Sequence, residues 1–300
     1  EAKNRGQVEL TATHQSLTLS PGASIDLSTP DGVAYGEINL NASRTGETSG
    51  DININASGPL NIKGAQGIAV NAFWTYSPSD ASGSIVQDNG TGVGGSPVSS
   101  TTGHLGMNQV DARSQQFITA ALANGNLLSR LAGLSAYTNA FHLRPGVEID
   151  SATPTGTLTV AGDLDLSSFR YQSLNPNFQK TAVYGSGEPG ALVVRAGGNL
   201  DIHGSISDGF MPAPTTPDGM VAAIAAMLPQ GSLSWSMRFV SGADLGAADT
   251  RIVQPASRLK AFGISGNVTL RDPHSQAPTS FYYYFNGNKA GPYSYAKYGY

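Results

Sequence analysis

The stretch GALVVRAGGNLDIHG, residues 190–204, decides the fold, because it aligns without a gap to GDININASGPLNIKG, residues 50–64. Gly50, Ile52, Ile54, Ala56, Gly58, Leu60, Ile62 and Gly64 fall on Gly190, Leu192, Val194, Ala196, Gly198, Leu200, Ile202 and Gly204. The positions between are polar in the first stretch, with Val193 the main departure in the second. Apolar residues at a period of two mark short strands with one buried face, and the glycines between them supply tight turns. Looser copies run GQVELTATHQSLTLS from Gly6, GEINLNAS from Gly36, GTLTVAGDLDLSS from Gly156 and GNVTL from Gly266. An antiparallel sandwich asks for hairpins and varied pairings. A right-handed parallel β-helix instead stacks equivalent stripes at the ~4.8 Å strand spacing, so each coil resembles the next. The expectation is an all-β chain: a right-handed parallel β-helix, or solenoid, with a small helical and loop insertion. Ile, Leu and Val then form inward columns, while Thr18, Asn53, Asn55 and Asn61 face out.

The period breaks in three places. Residues 77–140 hold the insertion. Its first part, 77–106, is too poor in apolar residues to pack and reads as a long loop. Its second, 111–134, places Phe117, Ile118, Ala121, Leu122, Leu128 and Leu131 at helical spacing, with Asp111 or Ser114 as N-cap and a break near Asn124 and Gly125. These short helices are expected to lie on the flank of the repeat or shield its end. Residues 209–231 form a Pro-rich loop with a short apolar helix over 220–228, and residues 281–300 are rich in tyrosine. The three segments interrupt one structural unit over 1–300. The chain opens inside a strand pattern and is read as a segment of a larger protein.

Composition narrows the partners. Charged residues are only 13% and the net charge is −4 with no runs, so no basic stripe tracks a phosphate backbone and nucleic acid is not an expected partner. The longest apolar stretch, 220–228, is far below the ~20 residues that cross a bilayer, so no direct membrane span is expected. The absence of cysteine removes disulfides and thiolate metal sites.

Candidate chemistry is weighed against the repeat. Asp163, Asp165 and Asp201 suggest the clustered carboxylates of a calcium site or an acid and base pair. Yet Asp201 aligns with Asn61, and Asp165 fills the same slot in a third copy, which reads as outward scaffold. His14, His104, His142, His203 and His274 lack any spacing that aims two rings at one metal, and His203 aligns with Lys63. No metal, cofactor or catalytic residue is expected. GSGEPG, residues 185–190, satisfies Gly-x-Gly-x-x-Gly but leads into ALVVRA, a strand, where a dinucleotide fingerprint opens a helix. Asn41, Asn55, Asn89 and Asn267 begin Asn-x-Ser/Thr triplets, which chance supplies in a chain of this composition. The least bland stretch is SFYYYFNGNKAGPYSYAKYGY, whose tyrosines offer rigid amphipathic contact area. Tyr282, Tyr284, Tyr293, Tyr295 and Tyr298 are the candidate ligand-binding residues. In the alternative reading Phe281, Tyr283 and Phe285 face the core while the other rings cover a neighbouring coil or the helical insertion.

The stretches FHLRPGVEIDSATPTGTLTVAGDLDLSSFRY and VYGSGEPGALVVRAGGNLDIHGSISDGF, together with GDININASGPLNIKGAQGIAVNAFWTYS, resemble the filamentous haemagglutinin family. These are very large β-helical exoproteins exported by two-partner secretion. The resemblance is close over roughly 6–76 and 141–210, weaker in the insertion, and fades toward the C-terminus. It implies a secreted or cell-surface location outside the bacterial outer membrane and an adhesin role in adhesion, aggregation or biofilm. It also implies a host or bacterial surface glycan or protein receptor, and an outer-membrane secretion partner for the full-length chain. The family's N-terminal secretion domain is not visible and no Arg-Gly-Asp triplet occurs, so no residue role carries over. Two alternatives stand beside it: the stalk of a contact-dependent toxin-delivery exoprotein, and a β-helical polysaccharide lyase or hydrolase. The enzyme would require a cleft with convergent carboxylates, or a carboxylate with Arg or Lys. Binding is otherwise expected where the period breaks.

Overall fold

The computed structural model describes residues 6–12, 15–209, 228–229 and 231–270, together with the backbone of 280–285 and 288–294. Strands dominate and the chain is laid down in passes. The first pass holds β1 (Gln7–Ala12), β2 (Leu17–Thr18) and β3 (Ser24–Asp26), and the second β4 (Gly36–Ser43), β5 (Ile54–Asn55) and β6 (Asn61–Lys63). The third holds β7 (Ala65–Tyr76), β8 (Ser84–Val86) and β9 (Leu105–Gly106), followed by helices α1 (Met107–Ala123), α2 (Gly125–Arg130) and α3 (Ala132–Ser135). The fourth is β10 (Phe141–Asp150), β11 (Leu158–Val160) and β12 (Leu164–Asp165). The fifth is β13 (Ala191–Ala196), β14 (Leu200–Ile202) and β15 (Ile206–Ser207), and the sixth β16 (Ser236–Ser241), α4 (Ala256–Ala261) and β17 (Val268–Leu270). Strands β18 (Ser280–Phe285) and β19 (Asn288–Ser294) form an antiparallel hairpin.

The opening strand of every pass joins one six-stranded sheet, in the order β1-β4-β7-β10-β13-β16, and all its pairings are parallel. A second parallel sheet runs β17-β14-β11-β8-β9, and β2-β5, β3-β6 and β12-β15 make parallel pairs. Period-two alternation turns into stacked columns through this register: Leu10, Leu40, Val70 and Leu143 lie side by side, as do Trp74, Val147, Leu192 and Met237. Ile38, Leu40, Ile68, Val70, Ile149 and Val194 are sealed from solvent, and each such side chain contributes about 1.5–3 kcal/mol of burial.

The two stretches that align so well in sequence occupy different places. Residues 190–204 supply β13 of the large sheet and then β14, whereas 50–64 supply β5 and β6 on the small pairs. The shared pattern encodes strand, glycine turn and strand, without specifying which sheet receives them. The spatial repeat is set by pairing: Leu10, Leu40 and Val70 are 30 residues apart, while Val147, Leu192 and Met237 are 45 apart.

The insertion also differs from expectation. Residues 77–106 are not all loop, because β8 and β9 lie within them and Ile85 and Leu105 are fully buried. Short apolar pieces suffice because Ile85 lies beside Val160 of β11 and Leu105 lies beside Ile85. Helix α1 begins at Met107, before the expected start at 111, and its cap Gly106 makes no side-chain bond, so no capping signal marks it. The break at Asn124 is real: Asn124 Oδ1 accepts from the backbone N–H of Asn126 and Leu127 and starts α2. The helices pack on the flank of 50–62. Arg130 reaches the carbonyls of Ile52 and Ile54, the Tyr137 hydroxyl donates to Leu60 O at 2.8 Å, and Gly133 sits against Gly58 O, where a Cβ would approach to 2.0 Å. Arg44 ties α1 to the large sheet, with its guanidinium 4.1 Å from the Phe117 ring and bonded to Ala72 O and Gly146 O. The expected loop and helix of 209–231 lie almost wholly outside the described residues.

The large sheet is rolled. Six flat strands would place β1 and β16 about 24 Å apart, yet Arg238 Nη1 on β16 is 3.1 Å from Glu9 Oε1 on β1. The rows containing Glu9 and Arg238 cross β7 at Ala69 and Thr75, so the sheet is sheared as it curls, as in a barrel. It forms a half-barrel whose outer face meets the apolar core and whose concave face carries polar side chains around an apolar floor.

Candidate functional site

The concave face of the half-barrel encloses a cavity of about 320 Å³. Alternation along three strands builds it. Glu148 and Asp150 are two residues apart on β10 and so share one face, and register sets Arg195 of β13 directly beside Asp150. Arg195 Nη1 lies 2.5 Å from Glu148 Oε1 and 3.8 Å from Asp150 Oδ2, while Nη2 donates to Asp244 O at 2.5 Å and Ala247 O at 3.2 Å. Arg195 Nε and Asp150 Oδ1 are buried without a protein partner. Burial, reinforced by the charge of Glu148 and opposed by Arg195, pushes the Asp150 carboxyl up to about 7.

Across the cavity a second network runs along β1, β4 and β7. Asn71 Nδ2 donates to Asn41 Oδ1 at 2.9 Å, and Asn41 Nδ2 donates to Glu9 Oε1 at 3.0 Å and Thr11 Oγ1 at 3.1 Å. Arg238 closes it, bonded to both Glu9 oxygens and to Thr250 Oγ1 at 2.8 Å. The floor between the networks is apolar. Phe73 lies across Gly146 of the adjacent strand, where a Cβ would come within 2.7 Å of the ring, so Gly146 is what lets an aromatic ring lie flat there.

A buried cluster lies further along the same face. Glu188, fully buried, receives His142 Nδ1 at 2.7 Å, Ser173 Oγ at 3.0 Å and Arg144 Nε at 3.1 Å. Burial alone would raise the Glu188 carboxyl, but the bond from His142, the Arg144 charge and the bond from Ser173 hold it below its usual value. A nucleophile relay places the imidazole between hydroxyl and carboxylate. Here Glu188 Oε1 sits between Ser173 and His142, so the cluster pins the segment 173–188 to β10.

The residues singled out in sequence fall elsewhere. Asp163 Oδ1 accepts from Ser205 N of the next pass at 2.7 Å, Asp165 Oδ1 accepts from Ser167 N at 2.9 Å in a local turn, and Asp201 lies on β14 beside Thr159 and Thr269. His104 sits in the insertion, His142 in the cluster above and His203 just after β14, while His14 and His274 lie outside the described residues. Among the described residues no three His, Cys, Asp or Glu side chains gather as metal ligands, and no helix is long and apolar enough to cross a membrane. GSGEPG leads into β13, with Gly190 under the Trp235 ring. Asn41 and Asn89 are buried and hydrogen-bonded, while Asn55 and Asn267 are exposed. Tyr282 and Tyr284 lie on β18 and Tyr293 on β19, and Tyr295 and Tyr298 lie outside the described residues.

Glu9, Glu148, Asp150, Arg195 and Arg238 were not singled out. Their signal is a charged residue at a polar position of an otherwise apolar strand, as in VEID and VVRA. Their convergence depends on register and curl. Searches against family models, curated proteins and solved structures return no match to this chain.

Proposed function

We propose that the chain is a segment of a large secreted or cell-surface adhesin, built as a right-handed parallel β-helix and exposed outside the bacterial outer membrane. Its role is structural and binding, without catalysis, in adhesion, aggregation or biofilm formation. The receptor is a host or bacterial surface glycan or protein, and the full-length chain uses an outer-membrane secretion partner. The observation that carries this reading is the parallel register repeated from β1 to β16, a scaffold whose concave face gathers two polar networks. The resemblance of 6–76 and 141–210 to the filamentous haemagglutinins supports it, as does a concave groove, the usual form of a binding site. A passive stalk of a toxin-delivery exoprotein would use the same scaffold and need no groove.

A second reading is favoured by one observation. Glu9, Glu148 and Asp150 converge on one cavity with Arg195 and Arg238, the arrangement required of a polysaccharide lyase or hydrolase. Against it, Glu148 is tied to Arg195 and Glu9 to Arg238. Incubating the purified chain with a glycan panel, scoring retention and product release, separates the readings. Retention without cleavage is expected of the adhesin, released product overturns it, and neither leaves a stalk.

A further inference from the structure

We propose that the segment 244–249 is a proton-controlled lid on the half-barrel groove: while Asp150 is neutral Arg195 holds the segment down, and when Asp150 ionises Arg195 turns to it and lets the segment swing. The inference goes beyond the adhesin reading, because it concerns access to the groove whatever the groove takes. Three observations carry it.

The first is how the segment is held. Leu245 and Ala247 line the cavity. At one end Ala243 N donates to Ala196 O at 2.8 Å and Asp244 N to Ile252 O at 3.0 Å, and at the other Arg238 Nη1 donates to Thr250 Oγ1 at 2.8 Å. Between these ends, among the described residues, the only hydrogen bonds that tie the segment to the large sheet come from one atom. Arg195 Nη2 donates to Asp244 O at 2.5 Å and to Ala247 O at 3.2 Å. The other bonds, Gly246 N to Asp244 Oδ1, Ala247 N to Asp244 O and Arg251 Nε to Asp249 Oδ1, stay within the loop.

The second is competition for that atom. A carboxylate grips a guanidinium side-on through Nε and Nη2, which share one edge. Both protons of Nη2 are spent on the lid, while Arg195 Nε and Asp150 Oδ1 are buried without a partner. Register sets Asp150 directly beside Arg195 on the adjacent strand, and Nη1 is already 3.8 Å from Oδ2. The two unmet atoms are the halves of a second arrangement that forms inside the sheet and needs nothing from solvent. It is reached only by withdrawing Nη2 from Asp244 O and Ala247 O.

The third is charge. Asp150 is faced by Glu148 from its own strand and by Arg195 from β13. Across the cavity Glu9 of β1 is paired with Arg238 of β16, and in the loop Asp244 accepts from Gly246 N and Asp249 is paired with Arg251. The β7 side brings only hydroxyls, Thr75 and Ser77. With Asp150 neutral, Glu148 alone balances Arg195, whose Nη2 is left to the carbonyls. A second negative charge beside Glu148 is stabilised by drawing Arg195 closer. Burial and Glu148 keep Asp150 neutral up to about 7. The closed form holds this proton more tightly than the open one, so the lid is shut most firmly in acid, loosens as pH rises, and changes no further above about 7.

The chain has no cysteine, so a single introduced thiol reports the lid. Leu245→Cys, half-buried in the cavity wall, and Ala248→Cys, exposed on the same segment, are labelled with a neutral maleimide from pH 5.5 to 8. The labelling rate of Leu245→Cys divided by that of Ala248→Cys is expected to rise at least about tenfold and to level off near pH 7. With Asp150→Asn added, the ratio should stay at its low, acid value throughout. Glu148→Gln, which removes the charge that opposes ionisation of Asp150, should move the levelling to lower pH. Thermal unfolding confirms that each variant is folded. A ratio that does not change with pH in the Asp150 protein overturns the proposal on its own. A rise that persists in Asp150→Asn, a ratio that is high in Asp150→Asn at every pH, or a levelling that Glu148→Gln leaves in place also overturns it.

Discussion

Asp150 has a carboxyl whose folded surroundings favour the neutral form. Burial and the neighbouring Glu148 push it up to about 7 from the ordinary 3.8. The folded state therefore holds its proton more tightly than the unfolded chain between these values. Stability is highest at the acid end of that window and falls as pH rises through about 7. Asp150→Asn cannot ionise, so it should flatten this slope and exceed the parent at pH 8, by on the order of 1–2 kcal/mol. Thermal unfolding from pH 5 to 8 checks it, and a parent whose midpoint rises over that range would contradict the assignment. Glu188 behaves oppositely. Its depressed carboxyl contributes stability that is present above the ordinary 4.5 and is lost as pH falls through the folded value. Gly146 limits the groove floor, because any side chain there displaces Phe73.

Among the elements, β8 is the informative one. It is three residues long and bounded by serines and turns, yet Ile85 is fully buried and Val160 of β11 lies beside it. Ile85→Ala should cost about 2–4 kcal/mol, a core cavity rather than a loop change. Chemical denaturation measures this, and a loss below about 0.5 kcal/mol would show the segment to be unpacked. The same element explains what local reading captures. The long stripes were legible: Ile52 with Ile54, Leu192 with Val194, and Phe117 with Ile118 and Ala121 announce strands and a helix by period alone. Ile85 and Leu105 were not, since strands this short show no period, and their burial comes from the register that sets Ile85 between Val160 of β11 and Leu105 of β9. Sheet membership was likewise hidden, because 50–64 and 190–204 share a pattern while their partners differ. Of the groove, VEID shows that Glu148 and Asp150 share a face, but Arg195 reaches Glu148 from 47 residues away along the chain.

At the scale of the molecule, the roll of the large sheet matters most. Twist between neighbouring strands is small and has a fixed hand, and no single residue announces the curl that five successive pairings accumulate. Glu9 and Arg238 register its sum. Their side chains are 15% and 32% exposed, so the pair contributes about 1 kcal/mol or less to global stability and is weakened by salt. Arg238→Met should leave the unfolding midpoint nearly unchanged while amide exchange in β1 accelerates and β7 and β10 stay protected. Equal exchange in β1 of both proteins would show that the clasp holds nothing.

The clasp spans 229 residues of chain, which bears on when a site exists as well as where. Each large-sheet strand after the first is laid against its predecessor, so growth from the N-terminus needs only the pass already in place as its template. The cavity mouth is different, because Glu9 waits for a partner on the last strand of the sheet. A chain that has emerged only as far as β13 carries Glu148, Asp150 and Arg195 on an open surface. Closure of the groove is thereby deferred until the sixth pass is complete, and a partly folded chain lacks the enclosed face of its finished form.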